Sequence, residues 1–221
     1  MLTKFWFYIL PPVLIVGQFI SERLLDHPTL EFMYSELGLY ENLQFLVLVA
    51  AVLVALATFV RMDRRADLLM TAWVAMAAFC CVYVAGEEIS WGQHFVGWGT
   101  PDFWTHLNDQ NETNLHNTSA WLDQKPRLIL MIGVAVGGLI IPLLRKIRPA
   151  VLPARFNAFY PSSSLWVVAA LAVGVHLLDK VVEGMGINLF ERTSEMQELC
   201  FYYFVLLYLL GLYHRLPRAI R

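Results

Sequence analysis

Apolar residues run almost unbroken through residues 5–25, 42–61, 67–86, 128–145, 164–183 and 199–214, and polar residues collect in the stretches between them. Each run approaches the roughly 20 residues an α-helix needs to cross a bilayer. The pattern predicts an all-α fold: a polytopic membrane helix bundle of six transmembrane helices, forming a single domain over residues 1–221 with a long outer-face loop, 87–127. Pro11 and Pro12 fall early in the first run, where a kink is tolerated. Residues 5–20 have the form of a signal-peptide core, but "SERLLDH" follows instead of a small-residue cleavage site, so the run reads as a span. The fifth run is marginal, because its last two turns hold His176, Asp179, Lys180 and Glu183.

Composition agrees with this class. Hydrophobic residues make up 58% of the chain and charged residues 15%, against about 25% charged in a soluble domain. The net charge of −2 hides a segregation of sign. Arg61, Arg64 and Arg65 lie in one connection, Arg145, Lys146, Arg148 and Arg155 in another, and Arg215, Arg218 and Arg221 near the C-terminus. Acidic residues gather in 22–41, 87–127 and 184–198. Lys and Arg beside spans mark the cytoplasmic side. The expected placement is therefore a cell inner (plasma) membrane, multi-pass, with both termini cytoplasmic and loop 87–127 facing the periplasm, or a lumen in a eukaryote. The basic residues are short flanks to spans and do not point to nucleic acid. Cys80, Cys81 and Cys200 sit in apolar runs and define no disulfide framework.

One internal echo stands out. "LLDHPTLE" (24–31) follows the first run and "LLDKVVE" (177–183) closes the fifth. Each precedes a Ser-Glu pair (Ser35-Glu36, Ser194-Glu195), a further glutamate (Glu41, Glu198) and an apolar run. Spans 1–2 and 5–6 are thus candidates for a parallel repeat, a device found in membrane proteins; chance likeness of short acidic segments is the alternative.

Four polar clusters carry candidate chemistry. The first is Glu87, Glu88, Ser90 and His94, in "AGEEISWGQHF". If the third span continues outward as helix, Glu87 and His94, seven apart, share a face. Adjacent carboxylates near the interface repel, and at least one needs a proton, a cation or a metal. The second is "NDQNETNLHN" (108–117), where Glu112 and His116 stand four apart, the spacing of two ligands on one helical face. Asn108, Asn111, Asn114 and Asn117 recur there every three residues, which suits a hydrogen-bonded network. The third is His176, Asp179, Lys180 and Glu183, a single stripe whose insertion cost implies an inward-facing polar pocket. The fourth is Glu195, Glu198 and Tyr202, with Glu41 and Gln44 as a similar step on the second span. Each has a plain structural alternative: a polar helix terminus, a capped surface helix, an ion-pair network, a solvated helix start.

The convergence of these clusters on one side is the stronger argument. Carboxylate plus imidazole is a ligand set for zinc, iron or manganese and also suits acid–base work. Loop 87–127 adds Trp91, Trp98, Trp104 and Trp121, with Phe95 and Phe103 between them. Tryptophan favours the headgroup level, so the loop is expected along the outer surface or dipping back between helices.

"GEEISWGQ" followed by "ETNLHN" resembles a signature of uncharacterised multi-spanning bacterial inner-membrane proteins, over roughly residues 85–117; the resemblance brings no activity with it. A distant comparison with alkaline ceramidase-like membrane hydrolases implies a membrane-embedded zinc site, but the paired histidines late in that pattern are missing here, and no residue role transfers.

Three functional readings remain open on the sequence. In the first, a metal-dependent enzyme acts at the outer leaflet on a lipid or lipid-linked substrate. There Glu87, Glu88 and Ser90 are catalytic, and His94, Glu112 and His116 hold a divalent transition metal. Trp91, Gln93, Asn114, Asn117, His176, Asp179, Glu183, Glu195 and Glu198 are binding residues. In the second, the chain is a non-catalytic accessory or assembly subunit whose polar face docks other membrane subunits. In the third, it is a transporter using the fifth-span stripe.

Overall fold

The structure, a computed structural model, describes residues 3–107, 111–115 and 118–217, apart from the side chains of Ala120 and Asp123. Its elements are α1 (Lys4–Tyr8), α2 (Leu10–Leu24), α3 (His27–Met33), α4 (Leu39–Arg61), α5 (Leu68–Glu88), α6 (Gln93–Val96), α7 (Asp102–Thr105), α8 (Ala120–Ala135), α9 (Ile141–Ile147), α10 (Trp166–Glu183) and α11 (Thr193–Arg215), with a π-helical turn at Val136–Ile140 joining α8 to α9. No strand occurs among the described residues.

Five helical stretches are long and apolar enough to cross a membrane: Leu39–Arg61, Leu68–Glu88, Gln124–Ile147, Ser163–Glu183 and Thr193–Arg215. The first expected span does not join them as one helix. It is split into α1 and α2 at Ile9, whose ψ of −49° is helical but whose φ of −107° is not. Pro11 and Pro12 follow at once. They donate no backbone N–H, and their rings crowd the carbonyls four residues back, so the break falls where the ladder is weakest. The other helices reach further toward the acidic end than the apolar runs alone define. α4 begins at Leu39, α5 continues to Glu88, and α11 begins at Thr193.

α11 is the centre of the bundle, packing along α4 and α10, while α5 lies against α4. Of its most apolar stretch 61% is buried within the protein, against 17–28% for the other four membrane-length helices. Phe201, Leu209 and Leu212 are wholly enclosed. The π turn passes close to this centre because Gly137 and Gly138 carry no side chain. A Cβ on Gly138 would fall 2.2 Å from the Cβ of Ala169 on α10 and 2.8 Å from the Phe204 ring on α11.

The charged stripe of α10 does not form the inward-facing pocket expected of it. Lys180 and Glu183 are exposed and pair with each other at 2.9 Å. Asp179 accepts a hydrogen bond of 2.6 Å from Thr193 Oγ1, tying α10 to the start of α11, and His176 is half-buried. The sequence echo also parts at this level. Asp26 precedes α3 in extended backbone at a helix break, whereas Asp179 sits inside a continuous helix.

At the other end of the bundle, arginines close the helix termini. Arg61 donates to the carbonyls of Tyr213 and, at 3.0 Å, Leu216; Arg145 donates to Pro161 O at 3.2 Å and Arg215 to Tyr160 O at 2.7 Å. Carbonyls left without intrahelical donors at a helix C-terminus attract such cations.

Candidate metal centre

The acidic end is built around the "GEEISWG" turn. α5 ends at Glu88, and the chain then reverses through three consecutive residues of positive φ: Ser90 at 46°, Trp91 at 54° and Gly92 at 91°. For serine and tryptophan this left-handed region is strained. Hydrogen bonds and packing hold it in place. Gly86 leaves room for the Trp91 ring to fold back on α5, since a Cβ there would meet the ring at 2.7 Å. The Trp91 indole N–H donates to Glu87 Oε1 at 2.9 Å.

Residues 111–115 are laid across this turn and stitched to it. Glu87 Oε2 accepts from Leu115 N at 2.7 Å, and Thr113 Oγ1 donates to Ser90 O at 3.0 Å. Gln93 Oε1 accepts from Thr113 N at 2.8 Å, while its amide donates to Thr100 Oγ1 at 2.8 Å and Asn111 O at 3.1 Å. Asn114, wholly buried, donates to Ser90 Oγ at 2.9 Å and to Glu112 Oε2 at 2.8 Å. "GEEISWGQ" and "NETNL" (111–115) are therefore two halves of one polar lock.

The lock decides several sequence expectations. Glu87 and His94 do not share a helical face, because the helix stops between them and the backbone turns left-handed. Glu112 lies outside any helix. His116, Asn117 and Asn108 lie outside the described residues. Glu87 and Ser90, expected to be catalytic, are buried and bonded within the lock, as are Gln93 and Asn114. Glu88 instead accepts from the Tyr202 hydroxyl at 2.8 Å, which joins α5 to α11.

The lock delivers Glu112 to His94. His94 Nε2 lies 3.6 Å from Glu112 Oε1 and 3.9 Å from Glu36 Oε2. Ligand atoms of the three side chains all fall within 4.8 Å of one another. The spacings from Nε2 are too long for hydrogen bonds, and Nε2, though shielded from solvent, has no hydrogen-bond partner among the described residues. Nitrogen and oxygen ligands at about 2.0–2.2 Å from one tetrahedral ion stand roughly 3.3–3.5 Å apart. The imidazole nitrogen is thus set between two carboxylates at little more than the separation a shared ion imposes. Glu112 is buried, whereas His94 and Glu36 are each about one-third exposed, at 30% and 31%, so the cluster opens on one side.

Glu36 was legible in sequence only as part of the Ser-Glu echo, and its approach to His94 is set by the turn after α3. Gly38 makes that turn possible: a Cβ there would lie 2.3 Å from Phe32 O and 2.5 Å from Met33 O. Tyr34 anchors it, stacking on Tyr40 at 4.9 Å and donating to Glu22 Oε1 at 2.6 Å. Burial and the Glu22 carboxylate hold the Tyr34 hydroxyl protonated well above the usual tyrosine range. Glu22, which the sequence did not single out, also accepts from Gln18 at 2.7 Å and Glu191 N at 3.1 Å. A second tier of carboxylates lies beneath. Glu41 is within electrostatic reach of Glu36, Glu88, Glu195 and Glu198. Gln44 donates to Glu195 Oε2 at 3.2 Å, and Arg127 pairs with Glu198 at 2.7 Å.

Comparison of the chain with protein-family models, with curated proteins and with solved structures finds no match.

Proposed function

We propose that the chain is a membrane protein in which Glu36, His94 and Glu112 hold a divalent transition metal at the outer face, and that the site acts on a lipid or lipid-linked substrate. The observation that carries this reading is the placement of His94 Nε2 between two carboxylates from distant segments, 3.6 and 3.9 Å away, without a hydrogen bond to either. Two carboxylates and an imidazole suit zinc, iron or manganese. Three protein ligands with one open side resemble a catalytic arrangement more than a closed structural one. A metal held there supplies Lewis acidity and a bound water of lowered pKa. The residues around it have supporting tasks: Asn114 orients Glu112, the Tyr34–Glu22 pair and Gly38 place Glu36, and the left-handed turn places His94. The lipid assignment rests on the setting. Phe95, Val96, Phe103 and Trp121, all from the same loop region, are exposed to the extent of 55–75%, which suits contact with a leaflet. In this reading the chain lies in the inner membrane with its basic end cytoplasmic, as the Lys and Arg flanks direct.

A second reading has its own observation. Glu87, Ser90, Gln93 and Asn114 are consumed in internal bonds, as expected of a scaffold that docks other subunits rather than of a reaction centre. Metal analysis of the detergent-purified protein separates the two. The enzyme reading expects about one equivalent of transition metal per chain, lost in His94→Ala and Glu112→Gln with the fold retained. A well-folded wild type that takes up no zinc, iron or manganese on reconstitution would leave the accessory-subunit reading.

A further inference from the structure

The basic end of the bundle holds a cavity of about 350 Å³ between α1, the turn before α10 and the end of α11. Its chemistry is divided. Phe7, Leu165, Leu207 and Leu210 form an apolar wall, and Lys4, His214, Arg215, Ser162 and Ser164 supply the polar part of the lining. Among the described residues no carboxylate lines it, although the chain carries 18 acidic residues against 16 lysines and arginines. Tyr208 contributes ring surface alone, because its hydroxyl accepts from Trp73 at 2.8 Å and donates to Phe159 O at 2.9 Å. Arg215 donates to Tyr160 O through Nη1, which leaves its other N–H groups, of five in all, for a second partner. Arg145 stands near enough to oppose the Arg215 charge. Ser162 Oγ contacts Ser164 Oγ at 3.3 Å and accepts from Ser164 N at 3.3 Å, fixing both hydroxyls at the start of the turn.

Cations and hydroxyls that converge without a counter-carboxylate are the donor set for a phosphate, and basic pockets between membrane helices are where anionic lipid headgroups bind. The apolar wall distinguishes this cavity from a site for a free anion. We infer that it takes the phosphate and glycerol of an anionic phospholipid, with Lys4, Arg215 and Ser164 on the phosphate oxygens and Phe7, Leu207 and Leu210 along the first part of an acyl chain. Inorganic phosphate shares the charge but not the apolar contact. The site is independent of the metal centre: about 20 residues of α11, or roughly 30 Å, separate the two ends.

Native mass spectrometry of the full chain in detergent, titrated with phosphatidylglycerol, phosphatidylcholine or inorganic phosphate, tests the inference. The expected result is one phosphatidylglycerol retained in preference to phosphatidylcholine and not displaced by phosphate at equal concentration. Lys4→Gln should weaken it about fivefold, the worth of one basic side chain near an anionic lipid, and Ser164→Ala should weaken it less. Arg65→Gln, a basic change outside the cavity, should leave it unchanged. Equal retention of the two lipids, or equal losses in Lys4→Gln and Arg65→Gln, would overturn the site. Displacement by phosphate at the lipid's own concentration would overturn the lipid as its occupant.

Discussion

The two ends of the bundle treat charge differently. At the basic end, Arg61, Arg145 and Arg215 each meet backbone carbonyls at helix ends and turns, and Arg61 and Arg145 also lie over the tyrosine rings of Tyr213 and Tyr160. Long guanidinium arms reach neutral partners and keep contact with water. At the acidic end, glutamates from α2, α4, α5, α11 and the long loop come together with buried amides and tyrosines, and Glu41 has the carboxylates of Glu36, Glu88, Glu195 and Glu198 for neighbours. Like charges withdrawn from water are costly unless a proton or a cation joins them. The arginine–carbonyl bonds at the basic end are therefore explained by the closing of the helices. The acidic end also sets His94 beside Glu36 and Glu112, and that cluster is the reason to look for chemistry there.

Substitutions can break this contrast. The largest expected effect is at Glu112: on the proposed site, Glu112→Gln should abolish metal uptake and with it any metal-dependent rise in thermal stability. For a ligand at about 100 times its Kd that rise is worth about 2.7 kcal/mol. Melting in detergent with and without zinc or manganese measures it, and a variant that keeps the full rise would show that the ion binds elsewhere. Arg61→Gln, at the other end, should leave the rise intact.

Next comes Glu87→Ala, which strips Leu115 N and the Trp91 indole of their acceptor. Unfolding should be easier by about 2–3 kcal/mol, since two hydrogen bonds to a charged group are lost. Limited proteolysis should then cut the loop between Gly97 and Leu115; resistance equal to wild type would show that the lock does not depend on Glu87. Gly86→Ala should cost about 1–3 kcal/mol by driving its methyl into the Trp91 ring, and Trp91 fluorescence, in a variant with the other tryptophans replaced by phenylalanine, should report greater exposure. An unshifted emission maximum would mean that the ring stays on α5. The smallest effect is Arg61→Gln itself, about 1 kcal/mol for the bonds to Tyr213 O and Leu216 O; a loss as large as that of Glu87→Ala would erase the difference between the ends.

Much of the helical frame was legible in the apolar runs, because length and hydropathy suffice to mark a membrane-length helix. The runs did not mark where helices stop. Glu88, Glu195 and Glu198 extend helices beyond the apolar stretch, and Tyr202, Gln44 and Arg127 on neighbouring helices meet them there. Nor could periodicity show that Ile9 interrupts the first segment, although the two prolines after it were the signal. At the site, His94 and Glu112 stood out by residue type. Glu36 did not, because it lies 58 residues before His94 in the chain, and no local spacing records a contact between separate turns. The helical reading of Glu87 with His94 failed for a related reason. Positive φ at Ser90 and Trp91 runs against the preference of both residues, and the Glu87, Thr113 and Asn114 bonds that secure the turn come largely from a segment more than 20 residues away.

The position of α11 also bears on how the protein is made. This helix is the most enclosed of the long helices, yet it is the last of them to leave the ribosome. While the earlier segments enter the bilayer, the face of α4 that carries Gln44, Leu48, Ala51 and Ala55 has no α11 to meet, and Glu88 has no Tyr202. Packing of α4 and α10 is thus held open until α11 itself has been made. A nascent chain released before Thr193 would be a set of helices without the one that α4 and α10 pack on.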